Sequence, residues 1–387
     1  MTVDPPATRR ADVVVVTCII VVSVSPLLST LQKLAVMCVI IASVLLTRPP
    51  KHPEVGKLIL VIFGIMVGVV QDVFSSSTFS AEAMALHLYF FVGILTGWAI
   101  AATMSVDRYL DKVGTIAVWL AALSLLGVLI YTLLPHLVAS FPIYEYYHTR
   151  HRTALFTNFL ISSDGTVIQR NAGIASEPGL FQLVLNLGAV AISRRGIPDT
   201  RSLLQFALLG IALFATRSTA GLIIFAVILI YTGLKSGKAF LVITAAIVTL
   251  SGVIRSEVDY QFANKLAGTA SFEQRLEPAQ AVLAQVLSSP LGVGNRSYNE
   301  YFKTQDWGSY DSFTQILIRY GLPLTLIIVG CLMARAPGLP LVVIVIVMTM
   351  LSQPIWSMPL VTYFYFSRVN EQIGNRSTAS KHERVST

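Results

Sequence analysis

Charge is what this sequence has least of. Only 12% of its 387 residues are Asp, Glu, Lys or Arg, against 54% hydrophobic, and a soluble domain carries about 25% charged residues. A water-soluble globular chain is excluded. Cysteine is almost as sparse: Cys18, Cys38 and Cys331 all lie inside apolar runs, with neither a Cys-x-x-Cys pair nor metal-ligand spacing, so no disulfide and no zinc site is expected. The alternating apolar and polar residues of a transmembrane barrel are missing, and so is an Asp-x-Asp metal signature. No small-residue cleavage site follows the first apolar run behind Arg9 and Arg10, which therefore reads as a retained first helix rather than a signal peptide.

What the sequence has instead is apolar runs, and a mean hydropathy of +0.70. In lipid every backbone polar group must be satisfied within the segment, which favours helices. Runs near 12–30, 31–47, 58–75, 82–104, 114–138, 178–193, 203–216, 218–234, 239–254, 313–334, 339–352 and 356–367 predict an all-α fold. It is a polytopic transmembrane helical bundle of about twelve spans, ten to fourteen at the limits, forming one integral membrane domain over 1–387. Placing the N-terminus inside collects Arg9, Arg10, Arg48, Lys51, Lys57, Arg108, Lys112, Arg194, Arg195, Arg201, Lys235, Lys238, Arg335 and Arg368 on the cytoplasmic side, as the distribution of Lys and Arg in short loops requires. Two long outer loops follow, 139–177 and 255–312, and a polar cytoplasmic tail, 368–387, reads as disordered. Residues 271–288 of the second loop have apolar positions at helical spacing and predict a short amphipathic helix, ended by Pro290, Gly292 and Gly294. Trp98, Trp119, Trp307 and Trp356 are expected in aromatic belts, and His87 and His136 as packing residues within helices.

Ionisable residues at span edges are the functional candidates. Arg170-Asn-Ala-Gly173-Ile-Ala-Ser-Glu177-Pro178-Gly179 runs from the first loop into a helix; Pro178 suits its first turn and Glu177 its positive end. Ala215-Thr-Arg217-Ser-Thr-Ala-Gly221 sets a guanidinium at the outer end of a span. Ser271-Phe-Glu-Gln-Arg275 precedes Pro290-Leu-Gly-Val-Gly294 in the second loop. Asp311-Ser312-Phe313 opens a span that continues Arg319-Tyr320-Gly321-Leu322. Asp311 is equally a helix N-cap by residue type, and Arg170 with Glu177 could be a structural ion pair. His148, Arg150, His151 and Arg152 read first as a headgroup-facing basic cluster and second as a grip on a lipid diphosphate.

In this order and spacing, over roughly 165–335, the four stretches resemble the O-antigen ligase/polymerase superfamily of bacterial membrane glycosyltransferases, and within it the polymerases of O-antigen and exopolysaccharide repeat units. The ligases typically carry a histidine where this chain has Asp311-Ser312, so the likeness leans to a polymerase. The resemblance implies a metal-independent, cofactor-free transfer of a growing glycan from a polyprenyl diphosphate onto another lipid-linked repeat unit, at the outer face of the bacterial inner membrane. Arg170, Arg217, Arg275, Arg150 and Arg152 are then the diphosphate-binding candidates, since guanidinium groups hold such oxygens bidentately. Glu177 and Asp311 are the candidate bases. The implied partners are polyprenyl-diphosphate-linked oligosaccharide, membrane lipid and a chain-length regulator protein, with no nucleic acid. Two alternatives stand beside this: a ligase moving finished glycan to an acceptor, and a transporter or flippase of the same lipid-linked sugars.

Overall fold

The computed structural model describes residues 6–48, 50, 54–74, 81–146, 149–154, 157–161, 167–168, 170–195, 200–236, 284–295, 297–298 and 311–368. The expected span at 239–254, Arg275, His148, Trp307, residues 271–283 and the tail beyond Arg368 lie outside them.

The chain is mostly helical. In order come α1 (Pro6–Val24), α2 (Thr30–Thr47), α3 (Val55–Phe74), α4 (Ala81–Thr103), α5 (Val106–Leu133), α6 (Pro135–Ala139), α7 (Pro178–Arg195), α8 (Thr200–Thr216), α9 (Thr219–Ser236), α10 (Ser312–Met333), α11 (Pro340–Met350) and α12 (Pro359–Phe366). Every expected span that falls on described residues is a helix. Local chemistry sets several of the starts. Ser29 and Gln32 form a reciprocal capping box ahead of α2, which satisfies two orphan amides at once. Pro178, Pro340 and Pro359 open α7, α11 and α12, where a missing N–H costs nothing.

Among the described residues five helices, α2, α3, α4, α5 and α10, are long and apolar enough to cross a membrane; α8, α9 and α11 are apolar but shorter. The eight residues of α12 would span only about 12 Å at 1.5 Å per residue. Nearly every residue of α7 is buried, which makes it the central helix, packed against α1, α5, α8, α9 and α11.

Charge collects at one end of this bundle. Buried Asp12 accepts from both Arg48, at 2.5 Å, and Arg108. Arg194 reaches Asp107 at 2.8 Å and Arg195 pairs with Asp111. Glu54 takes Arg368 at 2.8 Å and Lys57 at 3.5 Å, and those two cations together with Arg335 draw its carboxyl below the ordinary carboxylate range against the opposing effect of burial. Arg48, Lys57, Arg108, Arg194, Arg195, Arg335 and Arg368, all grouped on one side from sequence, take part in these pairs at one end; Lys51 and Lys238 lie outside the described residues. A cleft of about 400 Å³ lined by Trp119, Arg195, Arg201 and Gln205 lies there too, away from the residues that carry the candidate chemistry.

At the opposite end the first loop departs from the all-α expectation. Strands β1 (Ile143–Tyr146), β2 (Thr149–Ala154), β3 (Thr157–Ile161) and β4 (Val167–Ile168) form an antiparallel meander in chain order, with Tyr144 opposite His151 and Arg152 opposite Phe159. The stretch is rich in Tyr, Thr, Ile and Phe, residues that suit a pleated, half-buried surface. Phe159 and Ala154 bury against Val138, Phe141 and Tyr131, with the Phe159 and Tyr131 rings 5.2 Å apart, so the sheet is seated on the ends of α5 and α6. Trp356 also departs from expectation: it is fully buried, 4.8 Å from the Phe90 ring, because the 351–358 turn dips into the bundle instead of lying at its rim.

Candidate functional site

The segment between the sheet and α7 is fixed backbone atom by backbone atom. On β3, buried Asn158 donates its main-chain N–H to Gly173 O at 2.6 Å and its side-chain amide to Ala175 O at 2.9 Å. Asn171 closes a local turn by accepting the Gly173 N–H at 2.9 Å, donates its side-chain amide to Ser124 Oγ at 3.0 Å, and gives its main-chain N–H to Ala215 O at 2.9 Å. Ser176 N–H reaches Val24 O at 3.0 Å. Four separate elements therefore hold the ten residues from Arg170 to Gly179.

Arg170 leaves that segment towards the α8–α9 turn. Its Nε donates to Thr216 O at 3.2 Å and its Nη2 to Arg217 O at 3.1 Å. Arg217 itself stands at φ +50, the non-glycine residue with a positive φ among those described, a conformation that costs an L-residue roughly 1–2 kcal/mol. Its side chain is exposed. The result is a turn in which one arginine braces the strained backbone of the other and leaves the second guanidinium at the surface.

Glu177 precedes Pro178 at the start of α7, and its carbonyl accepts the Leu180 and Phe181 amides, each at 3.1 Å. Part of the residue reaches the surface, yet burial of the carboxyl raises its pKa; a hydrogen bond with Gln353 and the positive charge of Arg170 oppose that rise. Gln353 links this carboxylate to the head of α10. Ser312 Oγ donates to Gln353 O at 2.7 Å and accepts the Ile355 N–H at 2.8 Å. Asp311, the residue before, serves as the N-cap of α10: its Oδ1 accepts Thr314 N–H at 2.7 Å and its Oδ2 accepts the Thr314 hydroxyl at 2.6 Å.

Three of the four stretches picked out from sequence, distant along the chain, thus meet at the loop end of the bundle. Arg150 and Arg152 share one face of β2, opposite to buried His151; Arg150 pairs across the strands with Glu145 at 3.7 Å. No described contact joins either to Arg170, Arg217 or Glu177. Arg275 lies outside the described residues. Sequence reasoning passed over Gln353, and it passed over a polar column on α7 below Glu177. There Asn186 donates to Gln182 Oε1 at 2.9 Å and to Gly221 O at 3.1 Å, and Gln182 donates to Thr349 Oγ1 at 3.3 Å. A Gln and an Asn four apart inside an apolar run were the available signal.

The remaining motifs meet in a second joint. Helix α10 is broken at Gly321, φ +73, and the Pro290–Gly294 turn fits into the break: Val293 N–H donates to Ile318 O at 2.7 Å, and Leu322 N–H to Pro290 O at 2.9 Å. A Cβ on Gly292 would lie 2.7 Å from Arg319 O, so only glycine allows this approach. The groups freed by the break are therefore satisfied by another stretch of protein, the condition for irregular backbone at membrane depth. Asp72, His87 and Arg319 are buried around the joint. His87 does lie within α4, as expected, but as a hydrogen-bonded residue and not an apolar packing one.

Compared with known proteins, the chain matches no family model, and no curated protein or solved structure is significantly similar to it.

Proposed function

We propose that this protein is a membrane glycosyltransferase that polymerises polyprenyl-diphosphate-linked oligosaccharide repeat units at the outer face of a bacterial inner membrane. The observation that carries the reading is the hydrogen bond by which Arg170 holds the Arg217 backbone at one end of an apolar bundle, with Glu177 within the field of Arg170. That end is opposite to the one where the ion-paired basic residues collect. A diphosphate leaving group and a sugar hydroxyl need cations and a proton acceptor side by side, and this end of the bundle offers both.

In the proposed step the acceptor hydroxyl oxygen forms a bond to the donor's anomeric carbon as the bond from that carbon to the diphosphate oxygen breaks. The electron pair leaves with the diphosphate, and the hydroxyl proton passes to the Glu177 carboxylate. The Arg217 guanidinium, held forward by its braced turn, and that of Arg275 stabilise the charge growing on the leaving oxygens. Arg170 spends donors on the Thr216 and Arg217 carbonyls, so its first task is to hold Arg217 and lower the charge around Glu177. Both carboxylate oxygens of Asp311 are engaged by Thr314, which favours Glu177 as the base.

The test is the length of lipid-linked glycan in membranes carrying Arg170→Ala, Arg217→Ala or Arg275→Ala, each checked for insertion. Loss of polymer is expected in all three; normal chain length in all three would refute the assignment. A second reading, transport of the same lipid-linked unit, draws on one observation: a broken helix with buried Asp72, His87 and Arg319, features that transporters place on substrate paths.

A further inference from the structure

Around the break in α10 lies a buried polar network that the proposed chemistry does not use. Its hub is Asp72, near the end of α3. The side chains of Asp72 and His87 are 4% and 3% exposed, and His87 Nε2 lies 2.8 Å from Asp72 Oδ2. A carboxylate only accepts, so Nε2 is the donor, and in the neutral ring Nδ1 accepts from the Tyr320 hydroxyl 2.9 Å away. The same Asp72 oxygen also accepts the Asn295 main-chain N–H at 2.9 Å, and the Asn295 side-chain amide donates to Ala83 O on α4 at 3.5 Å. Next to Tyr320, Arg319 is buried with its guanidinium 4.0 Å over the Tyr298 ring and 5.4 Å over the Phe90 ring, within the field of Asp72.

The members of this network come from α3, α4, the part of α10 just before its break at Gly321, and the stretch 295–298. Its reach is what gives it a task. Asn295 and Tyr298 belong to the last described part of the second long loop, directly after the turn that fills the break. Gln71, beside Asp72, donates to Leu291 O at 2.8 Å, and Gly294 is packed so tightly on Asp72 that a Cβ there would overlap its carboxylate. One carboxylate thus grips the loop at residue 295, while its neighbour grips it at residue 291. The break in α10 holds the same turn through two main-chain bonds, Val293 N–H to Ile318 O and Leu322 N–H to Pro290 O, and the Gln71 and Asp72 contacts extend that hold to residues 291 and 295. Within the network Asp72, His87, Tyr320 and the Asn295 main-chain N–H satisfy one another, while Asn295 Oδ1 and Arg319 Nε are buried without a hydrogen-bond partner among the described residues. Removing a member of the satisfied chain leaves a further buried group unpaired, which is destabilising.

We propose that Asp72, His87 and Tyr320 are positioning residues: together they latch the Pro290–Asn295 turn into the break of α10 and so anchor this described part of the second loop on the bundle. The latch stands on geometry alone; its consequence for catalysis rests on the polymerase reading above.

The latch is tested by cysteine crosslinking between positions 71 and 291 in the full-length protein, its three native cysteines replaced, in membranes. A second pair at 107 and 194, at the opposite end of the bundle, reports whether the bundle is intact. Asp72→Asn and His87→Ala are expected to slow the 71–291 crosslink tenfold or more and to leave the 107–194 crosslink unchanged. His87→Gln, whose amide can still donate to Asp72, is expected to recover most of the rate. Equal 71–291 rates in all variants would overturn the latch. In the same membranes glycan polymer should fall with the crosslink and return in His87→Gln; full polymer with the crosslink lost would overturn the positioning role. If the unsubstituted protein makes no polymer at all, the polymerase reading fails and the crosslinking result alone decides the latch.

Discussion

The guanidinium of Arg170 donates to the main-chain carbonyl of Arg217 at 3.1 Å, so a residue that leads into α7 sets the backbone of a residue that ends α8. Two cations that the sequence separates by a helical hairpin act as one unit. The unit is asymmetric: Arg170 is the brace and Arg217 the exposed group.

That asymmetry predicts strong coupling. Arg170→Ala removes both donors from the α8–α9 turn, and Arg170→Lys cannot replace a planar fork that reaches two carbonyls. Each is expected to lower polymer formation about a hundredfold, the scale for losing one preorganised donor. Arg170→Ala combined with Arg217→Ala should cost little more than either alone; a double variant whose defect equals the product of the two singles would argue that the arginines act independently.

Arg217 also separates stability from function. Glycine adopts positive φ without the steric penalty, so Arg217→Gly should leave the melting temperature in detergent unchanged or higher, whereas Arg217→Ala retains the strain of roughly 1 kcal/mol or more. Both variants should lose polymer. A glycine variant that melts well below the alanine variant would show that the side chain, and not the backbone, holds the turn.

Glu177 has its carboxyl raised by burial, against the pull of Gln353 and Arg170. As a base it works only when ionised, so the rate should rise with pH along a limb set above the ordinary carboxylate range, and Gln353→Leu should move that limb higher by removing a bond to the ionised form. Glu177→Gln should abolish the limb together with the activity. A rate flat from pH 4 to pH 8 would remove Glu177 from the reaction.

His151 is fully buried in the sheet, and burial lowers its pKa. A base with a depressed folded pKa binds fewer protons folded than unfolded, so its contribution to stability is complete above the unfolded value, about 6.5, and is lost as pH falls below it. Proteolysis of the 143–168 region should therefore quicken on acidification below about pH 6.5, and His151→Phe should blunt the effect. Equal acid sensitivity in both proteins would place the titrating group elsewhere.

The helices were legible because apolar length is a local signal: each expected span within the described residues needed only its own sequence. The sheet was not, because β1 to β4 are defined by pairings such as Tyr144 with His151 across a turn, and the basic residues between them drew the reading towards a headgroup cluster. At the site, Arg170, Arg217, Glu177 and Asp311 could be found by residue type and position at span edges. What binds them could not. Gln353 looks like an ordinary polar residue after a span until α11 brings it beside Glu177, and Asp72 looks like a span end until Asn295 comes back to it. The capping role of Asp311 was readable from its residue type ahead of a span, since Asp is a preferred N-cap.

The central claim is best tested with purified protein in liposomes supplied with a polyprenyl-diphosphate-linked repeat unit, reading the lipid-linked glycan on a gel and the leaflet in which it resides. The account predicts a ladder of lengthening glycans that persists in the presence of a chelator and vanishes with Arg217→Ala. A unit that crosses the bilayer unchanged in length, with no ladder under any condition, would contradict it and make the protein a transporter.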